Sequence, residues 1–293
     1  MDKRRIIIIV SIVAIVAAIT FRIIQTATNN KEEETKTSDK TCFQFSDHKI
    51  IGYYYNLCGK VVNIPKYIHG AEVNVIGESA FENMQITSVT LPETVTKIEQ
   101  YAFNRNELTE VIIPEQVKYI GKNAFSNNKI SKLDIKPVKI TMNETPFNNN
   151  QLEDKYAFIY NMNDGIDKTD IISYAGKNRD NVKIPTGVTN IGPYTFSDME
   201  IKKITLNNDL EVIGNGAFIG NSFSEITIPS SVTYFGDNVL DYDISKVNIE
   251  NKDKIDDFGY YGMQTFEKDV LNFKGKTTKT EKEIQIEKGE DIQ

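Results

Sequence analysis

The chain has 293 residues, of which 40% are apolar and 26% charged, with a formal net charge of -7. That is the composition of a folded globular chain, which excludes global disorder, and the acid excess, with no offsetting stripe of Lys or Arg, disfavours nucleic acid as a partner. With no Trp and only two His, the chain is poor stock for a sugar-stacking platform or a histidine-based active site.

Residues 1–25 read as a membrane anchor or signal sequence. Lys3, Arg4 and Arg5 precede an apolar run from Ile6 to Phe21, which extends to Ile24 if Arg22 snorkels to the interface. Such a run approaches a membrane span of roughly 17–25 residues and exceeds a usual signal-peptide core. The basic flank predicts an N-terminal transmembrane helix whose start stays in the cytoplasm, so that the rest becomes extracellular at the cell membrane. Cleavage of the segment would instead give a secreted protein. Residues 26–41 are polar and charged, a flexible linker.

From Cys42 to Tyr55, the phrases FQF and IIGYYY flank the turn Ser46-Asp47-His48 and predict a β-hairpin. Its expected task is to cap the open end of a repeat array. Phe81, Phe103, Phe125 and Phe147 are each 22 residues apart, as are Ile76, Ile98 and Ile120, and Ala80, Ala102 and Ala124. Fixed spacing of this kind marks a solenoid. Each unit holds an apolar-x-x-apolar-x-apolar segment, such as Leu108-Val111-Ile113, whose last two apolar positions fit a strand with one buried face. Pro92, Pro114 and Pro229 come next, where ladder pairing is expected to stop. An Ile-Gly corner then uses Gly77, Gly121, Gly192, Gly214 or Gly236 for a sharp turn. The Ala-Phe pair falls in a short return segment, helical or irregular, and Asn104, Asn106, Asn127 and Asn128 read as polar turn residues.

The recurring IG..AF, ITSVTLP and LTEVIIP phrases resemble the leucine-rich repeats of BspA-like cell-surface proteins, over roughly residues 43 to 250. The resemblance implies a leucine-rich-repeat fold and a role in attachment or recognition, with no catalytic residues carried by the motif. The expected fold is therefore a leucine-rich-repeat solenoid of 22-residue repeats, with a parallel β-sheet on one face.

The register returns at Ile191, Ile213 and Phe235, after a second hairpin-like passage at 157–175, and Pro65 and Pro185 stand 120 residues apart. The chain thus divides into a first cap and array at 42–155 and a second cap and array at 156–250. Phe258, Tyr260, Tyr261, Phe266 and Leu271 suit a C-terminal cap at 251–273, and the charged stretch 274–293 reads as a disordered tail. Cys42 aligns with Ala157 and Cys58 with a position near Asn178, so the second copy lacks both. Their joint absence suggests a disulfide stapling the first cap, the alternative being two unpaired thiols.

Motifs for nucleotide binding, Ser hydrolysis or zinc ligation are absent from the sequence, and no cofactor, metal or catalytic group is expected. At 160–167 the oxygen ligands fall out of register for a calcium loop. Asp164-Gly165 reads instead as a hairpin turn. The candidate binding face comprises strand residues pointing away from the core: Ser88, Thr90, Glu110, Ile112, Lys132 and Asp134, then Lys203, Thr205, Glu225, Thr227, Lys246 and Asn248. The expected function is adhesion or recognition of a protein or cell-surface ligand without catalysis. The alternatives are a structural spacer and an enzyme with its site in the irregular stretch 136–175.

Overall fold

The computed structural model describes residues 40–165, 167–241 and 244–250, with the backbone of two further strands at Asp257–Phe258 and Leu271–Phe273. The expected anchor at 1–25, nearly all of the linker, the tail and most of the C-terminal cap lie outside the described residues. Among the described residues, no helix is long and apolar enough to cross a membrane.

The chain winds as a parallel β-solenoid in which each coil contributes two strands rather than one. The apolar-x-apolar segments form short ladders, such as Glu110–Ile113 beside Lys132–Ile135 and Glu225–Ile228 beside Lys246–Ile249. The longer sheets lie at the Ile-Gly segments, where a corner was expected. One six-stranded sheet runs from the first hairpin through Val75–Ile76, Lys97–Ile98 and Tyr119–Ile120 to Thr141–Met142. A second six-stranded sheet runs from the second hairpin through Asn190–Ile191, Val212–Ile213 and Tyr234–Phe235 to Asp257–Phe258.

The glycines after these strands serve close approach, not a left-handed turn. None of Gly77, Gly121, Gly192, Gly214 and Gly236 is among the positive-φ residues. A Cβ on Gly121 would lie 2.4 Å from the backbone nitrogen of Gln100 in the coil before it. Only a bare backbone lets the two coils pair at that point.

Among the described residues, the return segments contain no helix, because they turn through the left-handed region twice in a coil. Ser79, Tyr101, Asn123 and Thr145, and four residues further on Asn83, Arg105, Asn127 and Asn149, all have φ between 52° and 58°. Left-handed residues cannot continue a right-handed helix. Their N–H groups turn instead to the next coil. Phe81 N donates to the Ala102 carbonyl at 2.9 Å, Phe103 N to Ala124 at 2.7 Å and Phe125 N to Pro146 at 2.8 Å.

Those bonds set the core. Phe81, Phe103, Phe125 and Phe147 are fully buried, with successive ring centroids 4.9, 5.1 and 5.3 Å apart and planes within 11° of parallel. Ile76, Ile98 and Ile120 form a parallel buried row.

Both caps are antiparallel hairpins. Phe43–Ser46 pairs with Lys49–Tyr53 across a turn in which Asp47 and His48 both have positive φ, the geometry that matches strand twist. Phe158–Tyr160 pairs with Asp170–Tyr174. Asp164-Gly165 does not join these strands as a two-residue turn; it sits within the loop 161–169, which Ile140 holds by bridging to Met162. Met162 of this loop is buried in the core of the first array.

Cys42 and Cys58 are bonded, closing a separation of 16 residues. Where the second cap lacks this bond, polar contacts stand in. The Tyr174 hydroxyl donates to the Asn178 carbonyl at 2.9 Å, Asn178 Nδ2 donates to Asp154 Oδ2 at 3.2 Å, and Arg179 lies 5.3 Å over the Tyr174 ring. Cross-linking a loop of this size removes denatured-state entropy worth about 3 kcal/mol. The double variant Cys42→Ser, Cys58→Ser is therefore expected to lose about that much stability in the first cap. Hydrogen exchange should report it: amides of Lys49–Tyr53 lose protection while those of Asp170–Tyr174 keep theirs.

Candidate functional site

Strand pairing arranges the candidate face in two rows. Val61 is in register with Ser88, and Glu110 with Lys132; in the neighbouring row Asn63 is in register with Thr90, and Ile112 with Asp134. In the second array Lys203 leads to Glu225 and Lys246, beside Lys183, Thr205, Thr227 and Asn248. Alternation in a strand buries Val111 and Ile113 while Glu110 and Ile112 face outward.

All ten residues from Ser88 to Thr227 predicted to face away from the core are exposed, as is Lys246. Asn248 departs from expectation and is buried, its Nδ2 donating to Glu225 Oε1 at 2.7 Å. The strand Leu271–Phe273 also pairs beside it.

Opposite charges on this face stand next to one another. Lys132 Nζ lies 3.9 Å from Glu110, Lys136 2.5 Å from Asp134, and Lys246 3.1 Å from Glu225. Exposed pairs of this kind contribute about 0–1 kcal/mol, so they shape the surface potential more than they hold the fold. Ile112, half exposed at 50%, and Val61, at 53%, are large apolar side chains in these rows.

Two shallow grooves lie along the rows. One, of about 500 Å³, is lined by Lys203, Thr205, Glu225, Thr227, Asn208 and Glu250. The other, of about 240 Å³, lies over Lys132, Leu133 and Asp134 and is closed by Leu152 and Tyr156. The second exists because the ladder ends at Lys132–Ile135. A further 22 residues along, the chain forms the 3-10 turn Asp154–Tyr156 in place of a strand. Leu152 and Tyr156 were not legible as face residues, since their place depends on that interruption.

Two groups with displaced pKa values, Glu99 and Tyr174, are not among the residues of this face. Burial works against the Glu99 carboxylate, but hydrogen bonds from Lys97 and Lys49 outweigh it and hold its pKa below the ordinary value. Burial pushes the Tyr174 hydroxyl up to about 12, against the nearby Arg179 guanidinium. Among the described residues, no group of His, Cys, Asp and Glu is placed to hold a metal ion.

Asn106 and Asn128, expected as polar turn residues, form with Asn150 a buried ladder. Asn106, Asn128 and Asn150 are 6%, 6% and 0% exposed. Each Nδ2 donates to phenylalanine carbonyls of its own coil and of the one before, as Asn128 does to Phe125 and Phe103 at 3.1 and 2.9 Å. Each Oδ1 accepts an N–H of the preceding coil, that of Ile86, Leu108 or Ile130. Asn221 does the same in the second array. The signal was present as Asn at the 22-residue spacing. These residues tie each coil to the one before it.

The profile of a BspA type leucine rich repeat region matches residues 48–163 and 170–284, in six copies. The chain belongs to the BspA-type leucine-rich repeat family. Among solved structures, it is similar to a leucine-rich repeat protein from Eubacterium ventriosum, 25% identical with a TM-score of 0.48, over 66% of this chain and 55% of that one. It is also similar to a leucine rich cell surface protein from Faecalibacterium prausnitzii, at 19% identity and a TM-score of 0.44, over 74% of this chain and 60% of that one. A leucine-rich repeat protein from Bacteroides ovatus is 22% identical with a TM-score of 0.44, over 79% of this chain and 69% of that one. The chain thus spans little more than half the length of the first two. Among curated proteins, none matches. Membership of the family accounts for the repeats, and the outward rows are the part of each coil that the core leaves free to vary.

Proposed function

We propose that the chain is a non-catalytic extracellular repeat protein that binds a protein or cell-surface ligand on the outward rows from Ser88 to Thr227. Its N-terminal segment would hold it at the membrane. The observation that carries the binding reading is the exposed, regularly spaced strip in which charges of both signs alternate around Ile112. Such a surface selects partners by charge pattern more than by apolar area. The exterior location is supported by Lys3, Arg4 and Arg5 ahead of the apolar run and by the Cys42–Cys58 bond, which persists in an oxidising compartment.

Charge reversal along the strip tests the reading. Cells displaying Glu110→Lys, Lys132→Glu or Asp134→Lys variants should lose attachment by about tenfold or more, since a like-charge contact costs several kcal/mol. Reversal of Glu115 and Lys118, exposed in the turn between strands, should leave attachment unchanged. Equal attachment by both sets would favour a spacer that has no ligand of its own.

A further inference from the structure

The two hairpin caps are near duplicates in their packing. Ring centroids of Phe43 and Tyr53 are 5.4 Å apart, and those of Phe158 and Tyr174 are 5.2 Å apart. Tyr53 lies 5.3 Å from Phe81, as Tyr174 does from Phe196. Tyr54 N donates to the Cys42 carbonyl as Ala175 N donates to that of Ala157. Ile51, Tyr53 and Tyr54 therefore occupy the places of Ile172, Tyr174 and Ala175.

The second cap is covered on both sides. Its inner residues Ala157, Ile171 and Tyr174 belong to the core of the second array. Its outer residues Ile159, Met162, Ile172 and Ala175 join the core of the first. The first array's last coil closes the contact, with Thr145 N donating to the Ile172 carbonyl at 3.1 Å, Asn149 N to Tyr174 at 3.3 Å and Leu152 N to Ala175 at 2.9 Å. The outer side of a hairpin cap of this design is thus a seat for the end of a repeat array.

Among the described residues, nothing covers the same seat on the first cap. Ile51 is 51% exposed and Tyr54 46%, with Leu57 beside them at 84%. The sequence just before the first cap lacks the apolar residues of a matching coil. Phe147 and Leu152 stand ten and five residues before Ala157, whereas Glu32 and Thr37 stand at those distances before Cys42. Gln44 takes the place of Ile159, which makes this seat more polar and suits a reversible contact. At the opposite end of the solenoid, the strands Asp257–Phe258 and Leu271–Phe273 are the last of their sheets and pair on one side among the described strands. Because the array strands are parallel, the two ends differ and can meet in one orientation.

We propose that the outer face of the first cap receives the terminal coil of a second copy of this chain, giving head-to-tail association. A contact between two different surfaces does not close at two copies unless a ring forms. The inference stands apart from the binding role assigned to the outward rows.

Sedimentation of the full chain in neutral detergent, across a concentration series, tests it. The expected result is a mass that grows with concentration beyond two copies. The double variant Ile51→Lys, Tyr54→Lys should need about tenfold more protein for the same association, equivalent to about 1.4 kcal/mol, with an unchanged Tm. Leu57→Lys, at the most exposed of these positions, provides an independent variant and should shift association the same way. A wild-type mass of one copy at every concentration would overturn the proposal. So would growth that stops at two copies, the mark of a cap-to-cap dimer, or variants that associate like wild type.

Discussion

Replacement of Phe103 by Ala is expected to destabilise the first array by about 3–5 kcal/mol, the range for emptying a large aromatic site in a packed core. Phe103 has no exposed surface and is sandwiched between Phe81 at 4.9 Å and Phe125 at 5.1 Å. Loss of the ring breaks two stacked contacts and leaves a cavity that backbone bonds on both sides prevent from collapsing, since Phe81 N and Phe103 N are each tied to the following coil. In a repeat array each coil is stabilised by its neighbours, so the damage should spread to the adjacent coils first. Phe103→Leu, which keeps most of the volume, should cost clearly less. Denaturant unfolding of both variants, with hydrogen exchange to locate the loss, checks this. A similar cost for the two substitutions would show that ring stacking, not filled volume, holds the column.

How much of the fold was legible depends on which residues repeat. The 22-residue spacing of Phe, Ile and Ala located the buried column and one of the two strands in each coil, because a core position in one coil is a core position in the next. The outward rows came from alternation alone. What was missed depends on neighbouring coils. Nothing local in Ile98, Ile120 or Ile191 distinguishes a corner from a short strand; the ladder forms because the next coil's backbone lies alongside. The left-handed pairs Ser79/Asn83 and Tyr101/Arg105 forbid a helix in a stretch whose Ala-Phe content permits one. The Asn rows were visible as a period but not as buried, since polarity alone pointed to solvent. The groove closed by Leu152 and Tyr156 depends on the one coil where the repeat gives way to a hairpin, and periodicity is silent there.

Removal of Asn128 tests whether that buried row is structural. Its side chain is 6% exposed, receives the Leu108 N–H at 3.1 Å, and donates to Phe103 and Phe125 carbonyls. Asn128→Ala leaves the Leu108 N–H facing a cavity that water reaches poorly, while the Phe103 and Phe125 carbonyls keep the Asn106 and Asn150 side chains as donors. At about 1–3 kcal/mol for a buried polar group left unmade, a loss in that range is expected although little apolar area is removed. Asn128→Asp separates shape from hydrogen bonding. The carboxylate retains an acceptor for Leu108, but its second oxygen confronts two carbonyls, so burial and repulsion raise its pKa in the folded state above the unfolded value of about 3.9. A raised folded pKa gives stability that is fully present below the unfolded value and lost as pH rises through the folded one. The penalty of Asn128→Asp relative to wild type should therefore be small near pH 4 and approach that of Asn128→Ala near pH 7. Urea unfolding of the wild type and both variants at the two pH values decides it. A penalty independent of pH would mean that the neighbouring carbonyls have turned to other donors, and that the coil spacing sets the asparagine row rather than the reverse.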